Sequence, residues 1–259
     1  MQVASRLDAV RAGAHEVGVR ALQPIVGRLP RQLNRALGLE AEKRFWRQIL
    51  STRTDAIPPG LMYRLDPQAK LMEPLIVERL SLLPREISIL DVGAGPLTDL
   101  GKRLPGRTVE IVAVDPLADV YRELLSDAGL VAPVPTLGCA GEELRDRFDE
   151  GRFDVVYARN AVDHAVNPLL VIENMLAVAK VGGFVALRHR PREGERRKYT
   201  LLHQWNVDLA HSDLVLSNRR TRVNVTERLA GRARVETLSE EGWVSAVLTK
   251  LDRPESRGD

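Results

Sequence analysis

From Ser88 to His189 the chain alternates short β-branched apolar runs with amphipathic stretches. The runs are Ser88–Val92, Val109–Val114, Pro133–Leu137, Phe153–Ala158 and Gly183–His189. The stretches between them, at Leu97–Leu104, Ala118–Ala128, Glu142–Phe148 and Pro168–Ala179, repeat at helical spacing. Strands alternating with helices predict an α/β domain with a doubly wound, mostly parallel sheet. Right-handed crossovers then bring the C-terminal ends of the strands to one edge, where such folds bind ligands. Upstream, residues 1 to about 50 repeat apolar residues helically (Val10, Val17, Leu22, Leu33, Leu37, Phe45, Trp46, Ile49). A further helix is expected from Asp66, as N-cap, to Leu83, ended by Pro84. Beyond His189 the spacing predicts a helix over Tyr199–Leu209 and strands at Leu214–Leu216, Ala233–Thr237 and Trp243–Leu251. The last two form an antiparallel edge hairpin and complete seven strands. Residues 1–65 are read as an N-terminal helical cap and 66–259 as the main domain.

Composition narrows the partners. The 259 residues are 44% hydrophobic and 28% charged, and 38 Lys+Arg against 35 Asp+Glu leave a formal charge of +3. So small an excess gives no strong nucleic-acid signal, since a dedicated binder clusters its basic residues. Cys139 is the only cysteine, so no internal disulfide can form, and a reducing setting is expected. No run approaches the roughly 20 apolar residues of a membrane span, and Met1–Arg20 lacks a signal-peptide core. A cytoplasmic protein is expected, and a homodimer stays open.

The most informative segment is Ile89-Leu90-Asp91-Val92-Gly93-Ala94-Gly95-Pro96, an apolar strand ending in Gly-x-Gly and expected to run into a helix. Glycines there permit a tight turn and close approach of backbone N–H groups to a ligand. Thr98 stands where a pyrophosphate-binding turn wants a third small residue, which counts against NAD or FAD. Asp115, closing the next strand, is placed to accept two ribose hydroxyls, with Pro116 and Leu117 along an adenine face. Cys139-Ala140-Gly141-Glu142 offers a turn able to read the adenine edge.

These residues, with Phe153–Ala158 running into Asn160 and the Lys180-Val181-Gly182-Gly183-Phe184 turn, resemble the class I S-adenosylmethionine (SAM)-dependent methyltransferases. Val181 stands where that family more often has proline. The resemblance implies a Rossmann-like fold, SAM as donor and S-adenosylhomocysteine as product. It implies that Asp91, Gly93, Ala94, Gly95, Asp115, Pro116, Leu117, Ala140, Gly141, Glu142 and Asn160 hold the cofactor.

Methyl transfer needs an in-line nucleophile and, for a hydroxyl acceptor, a base. In this fold the residues after the fourth strand adjoin the methyl group, here Ala158-Arg159-Asn160-Ala161-Val162-Asp163-His164. His164 is the favoured base and Asp163 its orienting partner, an alternative base or a cation ligand. His189 closes the fifth strand on the same edge. Arg190, Tyr199, His203 and Trp205 are read as an acceptor platform. The segments Arg64-Leu65-Asp66-Pro67, Ala158–His164 and His203-Gln204-Trp205-Asn206 resemble a bacterial methyltransferase subgroup associated with glycan biosynthesis. The expected acceptor is therefore a small-molecule or glycan hydroxyl. The resemblance implies that Asp163, His164, His189 and His203 could supply a metal site, as in some sugar O-methyltransferases. Their spacing matches no compact metal motif, so no metal ligand is assigned and divalent-metal dependence stays open. Two further readings remain: a non-catalytic SAM-binding regulatory or scaffold protein, and an NAD(P)-dependent oxidoreductase.

Overall fold

The structure is a computed structural model and describes residues 31–51, 59–240 and 242–252. The helical segment expected before residue 31 lies outside them. Helix α1 (Arg31–Leu50) and helix α2 (Pro59–Leu65) precede a short helix α3 (Pro74–Val77). The sheet strands are β1 (Glu86–Val92), β2 (Thr108–Asp115), β3 (Thr136–Gly138), β4 (Phe153–Arg159) and β5 (Ala179–His189), with β9 (Ala233–Glu240) and β10 (Trp243–Lys250). Helix α4 (Ala118–Asp127) follows β2, α5 (Leu144–Arg147) follows β3, and α6 (Pro168–Val178) joins β4 to β5.

The seven strands lie in the order β3-β2-β1-β4-β5-β10-β9. All neighbouring pairs are parallel except β5–β10 and β10–β9. This is the expected α/β, Rossmann-like, seven-stranded sheet with an antiparallel edge hairpin. The chain order reverses beside β1, so the ends of β1, β2 and β4 open onto a shared crevice. Ile89, Leu90, Val155, Val156 and Tyr157 are fully buried because central parallel strands are covered on both faces. α6 covers one face with Val171, Ile172, Met175 and Leu176.

The other face is covered in an unexpected way. No helix follows β1: residues 96–104 form turns and bends. Pro96, Gly101 and the pair Pro105-Gly106 interrupt any helical ladder. The backbone pairs outward instead, with Lys102 and Arg103 N–H groups donating to the Ala69 carbonyl and Leu71 N–H to Arg103 O. Gly101 lies so flat on Lys70 that a Cβ would meet its carbonyl at 2.2 Å. Leu71, Leu75, Ile76 and Leu83 then pack with Leu100 and Leu104 where a helix would have sat.

Three other expectations are corrected. The helix expected from Asp66 to Leu83 is reduced to α3 and a 3-10 turn at Leu80–Leu82, because Pro67 and Pro74 interrupt it. The Asp66 carboxylate instead closes a local turn, accepting from Gln68 N–H at 2.8 Å. β3 begins at Thr136 rather than Pro133, since Pro133 and Pro135 have no N–H to give the ladder. The helix expected over Tyr199–Leu209 is absent. A short helix α7 (Glu193–Arg196) leads into a loop with Lys198, Tyr199 and Leu201 at positive φ, which no helix tolerates. Strands β6 (Asn206–Ala210), β7 (Asp213–Ser217) and β8 (Arg222–Asn224) follow as a separate antiparallel sheet, then helix α8 (Val225–Arg228).

Among the described residues no helix is long and apolar enough to cross a membrane.

Candidate active site

A cavity opens at the C-terminal ends of β1, β2 and β4. Its lining includes Asp91, Gly93, Ala94, Gly95, Asp115, Pro116, Leu117, Ala140, Gly141, Glu142 and Asn160. The turn after β1 is held to β2 by Gly93 and Ala94 N–H groups donating to the Val114 carbonyl. Gly93 has φ +73°, and a Cβ there would lie 2.3 Å from that of Ala161. Only glycine lets the two loops meet.

Asp115 braces the same turn, accepting from Gly95 N–H at 3.2 Å and from Leu117 N–H at 2.9 Å. Glu142 reaches across to the loop before α6, accepting from Val166 and Asn167 N–H groups. Asn160, at φ +49°, accepts from Arg190 N–H and fixes the turn between β4 and the next loop.

Asp91 is buried and faces the cavity. Thr98 Oγ1 donates to it at 2.6 Å, and among the described residues no basic side chain forms an ion pair with it. Burial and the neighbouring Asp99 charge push its carboxyl up to about 7 against the opposing Thr98 bond and Arg64 charge. Asp99 instead pairs with Arg159 at 2.9 Å. Its own burial is outweighed by Arg159 and Arg64, which hold it below the usual carboxylate range. One carboxylate is thus matched to a cation within the protein, and the other is left facing an open space.

α1 forms a wall of the cavity with Arg35, Leu39, Glu42 and Trp46. The Trp46 ring lies against Gly95 and edge-on to Tyr121, and its Nε1 donates to Glu42 at 3.0 Å. Arg35 Nη1 donates to the His164 carbonyl at 2.8 Å. Asn34 accepts from Leu201 N–H at 2.6 Å, tying α1 to the loop whose Leu202 also lines the cavity.

His164 lines the cavity, and behind it three side chains converge. His203 Nδ1 is 2.9 Å from Asp163 Oδ2 and 3.2 Å from His164 Nε2, which is 3.6 Å from Asp163 Oδ2. His189 Nδ1 lies 3.8 Å from the other Asp163 oxygen, too far for a hydrogen bond. Burial alone would raise the Asp163 carboxyl. The surrounding imidazoles, His164 foremost, hold it well below the usual range.

Residues 90–187 match the model of a methyltransferase domain family. The matched stretch runs from β1 to β5, and over it the chain is similar to methyltransferase domains. No curated protein matches the chain significantly. Solved structures similar to it include a protein of Pyrococcus horikoshii OT3, at 18% identity over 68% of this chain and 86% of that one, TM-score 0.42. A SAM-dependent methyltransferase from Aquifex aeolicus is similar at 14% identity over 78% and 95%, TM-score 0.44. A SAM-dependent methyltransferase described as putative, from Methanococcus maripaludis, is similar at 11% identity over 88% and 98%, TM-score 0.47.

The fold gathers every residue expected to hold the cofactor around one cavity. It places His164 on that cavity and brings Asp163, His189 and His203 behind it. The rest of the expected acceptor platform is not there. Trp205 packs against the core beside α6, and Tyr199 stacks under Arg219 while accepting from Asn206. Arg190 lies over Trp243 and donates to Gly242 O. The loop and β6 that replace the expected helix turn Tyr199 and Trp205 away from the cavity. Sequence reasoning placed none of Arg35, Leu39, Glu42, Tyr121 and Leu202 at the cavity. The three on α1 could have been found with Trp46, because Arg35, Leu39, Glu42 and Trp46 are spaced four, three and four apart, along one helix face.

Proposed function

We propose that this enzyme transfers the methyl group of SAM to a hydroxyl of a small-molecule or glycan acceptor. The observation that carries the reading is the pairing, in one cavity, of uncompensated Asp91 with an imidazole–carboxylate cluster at His164. Asp91 suits the cationic amino-acid end of SAM, and Asp115 suits its ribose hydroxyls, while a pyrophosphate would meet two carboxylates. The turn after β1 also presents no helix N-terminus, a feature that dinucleotide sites use to hold phosphate.

In the reaction the acceptor oxygen attacks the methyl carbon in line with the departing sulfur. The O–C bond forms, the C–S bond breaks, and S-adenosylhomocysteine leaves. His164 Nε2 takes the hydroxyl proton, with Asp163 and His203 stabilising the charged imidazole. A titratable cluster on the cavity also favours catalysis over a purely regulatory SAM-binding role. Of the expected N-terminal cap, α1 serves as a wall of the cavity.

Calorimetric titration with SAM, S-adenosylhomocysteine, NAD and NADP tests the reading, with Asp115→Ala as control. Micromolar binding of the first two, lost in the control, is expected. Binding of a nicotinamide nucleotide in their place would overturn it.

A further inference from the structure

Asp163, His164 and His203 leave an arrangement that proton transfer alone does not satisfy. His203 Nδ1 carries at most one proton, yet it faces Asp163 Oδ2 at 2.9 Å and His164 Nε2 at 3.2 Å. One proton satisfies one of these contacts. A cation in the middle satisfies all three.

We propose that Asp163 Oδ2, His164 Nε2 and His203 Nδ1 form a binding site for one divalent transition-metal cation beside the cofactor cavity. Separations of 2.9, 3.2 and 3.6 Å are those of three ligands sharing one face of a cation. A point roughly 2.1 Å from each atom, the usual zinc–nitrogen and zinc–oxygen length, exists just outside their plane. Two imidazoles and one carboxylate suit Zn²⁺, Co²⁺, Fe²⁺ or Mn²⁺, whereas Mg²⁺ and Ca²⁺ favour all-oxygen sets.

His189 supplies a second observation. It is 1% exposed, both its ring nitrogens lack hydrogen-bond partners, and Nδ1 points toward Asp163 Oδ1. A carboxylate that gives one oxygen to a metal and takes an orienting contact on the other needs such a neighbour. His189 is thus a buried imidazole with no partner of its own, aimed at the carboxylate from 3.8 Å.

Three protein ligands leave coordination positions of the cation open to an acceptor oxygen, and one of these ligands, His164, lines the cavity. With the cation in place, His164 Nε2 is a ligand rather than the proton acceptor. The coordinated hydroxyl is acidified by the charge and releases its proton to water. That role rests on the hydroxyl-acceptor reading, but binding of the ion does not.

The test strips the full chain with a chelator and titrates it with Co²⁺, followed by visible absorption, and with Zn²⁺ in competition. SAM affinity is measured on the same samples. One equivalent of Co²⁺ with a ligand-field spectrum is expected, displaced by Zn²⁺. Its affinity should fall about tenfold or more in Asp163→Asn and in His203→Gln. Thermal unfolding and SAM binding report that each variant is folded. Absence of stoichiometric Co²⁺ binding, or binding unchanged in both variants, overturns the ion site. If SAM binding persists in that case, the methyl-transfer reading stands. Loss of SAM binding with the metal spectrum intact would sink that reading and leave the ion site standing.

Discussion

The two sides of the cavity are built by different means. The cofactor side is made from turns at the ends of β1 and β2, each written in a few consecutive residues and held largely by backbone. Gly93 and Ala94 bind Val114, and Asp115 braces Gly95 and Leu117. The acceptor side is assembled from side chains far apart in the chain. Arg35 reaches the His164 carbonyl across 129 residues, and His203 meets Asp163 across 40. Chemistry built on local backbone leaves a motif, and chemistry built on distant side chains does not.

The largest effect should come from breaking the acceptor side alone. His164→Ala is expected to lower turnover by about 10²–10⁴-fold, the usual range for losing the group that handles the acceptor's proton, whether it takes that proton itself or holds the cation that acidifies it. SAM affinity should stay within about twofold, because no cofactor turn depends on that imidazole. Single-turnover assays beside calorimetry would check this. Turnover near wild type would remove His164 from the chemistry.

Breaking the cofactor side should do the reverse. Gly93→Ala forces a left-handed alanine whose Cβ meets Ala161 at 2.3 Å. Strain on the order of 1–3 kcal/mol predicts a loss of SAM affinity of about tenfold or more. Co²⁺ binding at the Asp163 cluster should persist. If both fail together, the two sides are not separable and the contrast drawn above is wrong.

A third change sharpens the role of Asp91. Burial and the Asp99 charge push its folded carboxyl up to about 7, well above the ordinary aspartate value near 3.8. A group raised in this way favours the fold while protonated, and that contribution is lost as pH rises between the two values. Asp91→Asn should therefore gain stability over wild type, on the order of a few kcal/mol, as pH rises from 4 to 7. Urea midpoints across that range measure it. A constant difference between the two proteins would place the raised carboxyl elsewhere.

The same contrast explains what the sequence reveals. The sheet was legible because buried parallel strands read as apolar runs between amphipathic helices. The residues expected to hold the cofactor line one cavity because they stand at strand ends. The helix expected after Gly95 failed because Pro96, Gly101 and Pro105 outweigh the apolar spacing of Leu97, Leu100 and Leu104. Those leucines are buried as expected, but on a chain pinned to Ala69 and Lys70. The misread Tyr199–Leu209 helix cost more. Its positive-φ residues take their conformation from distant partners such as Asn34, which no local window contains.

α1 touches both sides at once. Trp46 rests on the Gly95 turn, and Arg35, three turns earlier on the same rigid helix, holds the carbonyl of His164. Any free energy that the donor gains by seating this helix is therefore shared with the residue awaiting the acceptor. Thermodynamic linkage makes any such coupling reciprocal: whatever factor one ligand imposes on the affinity for the other is returned unchanged.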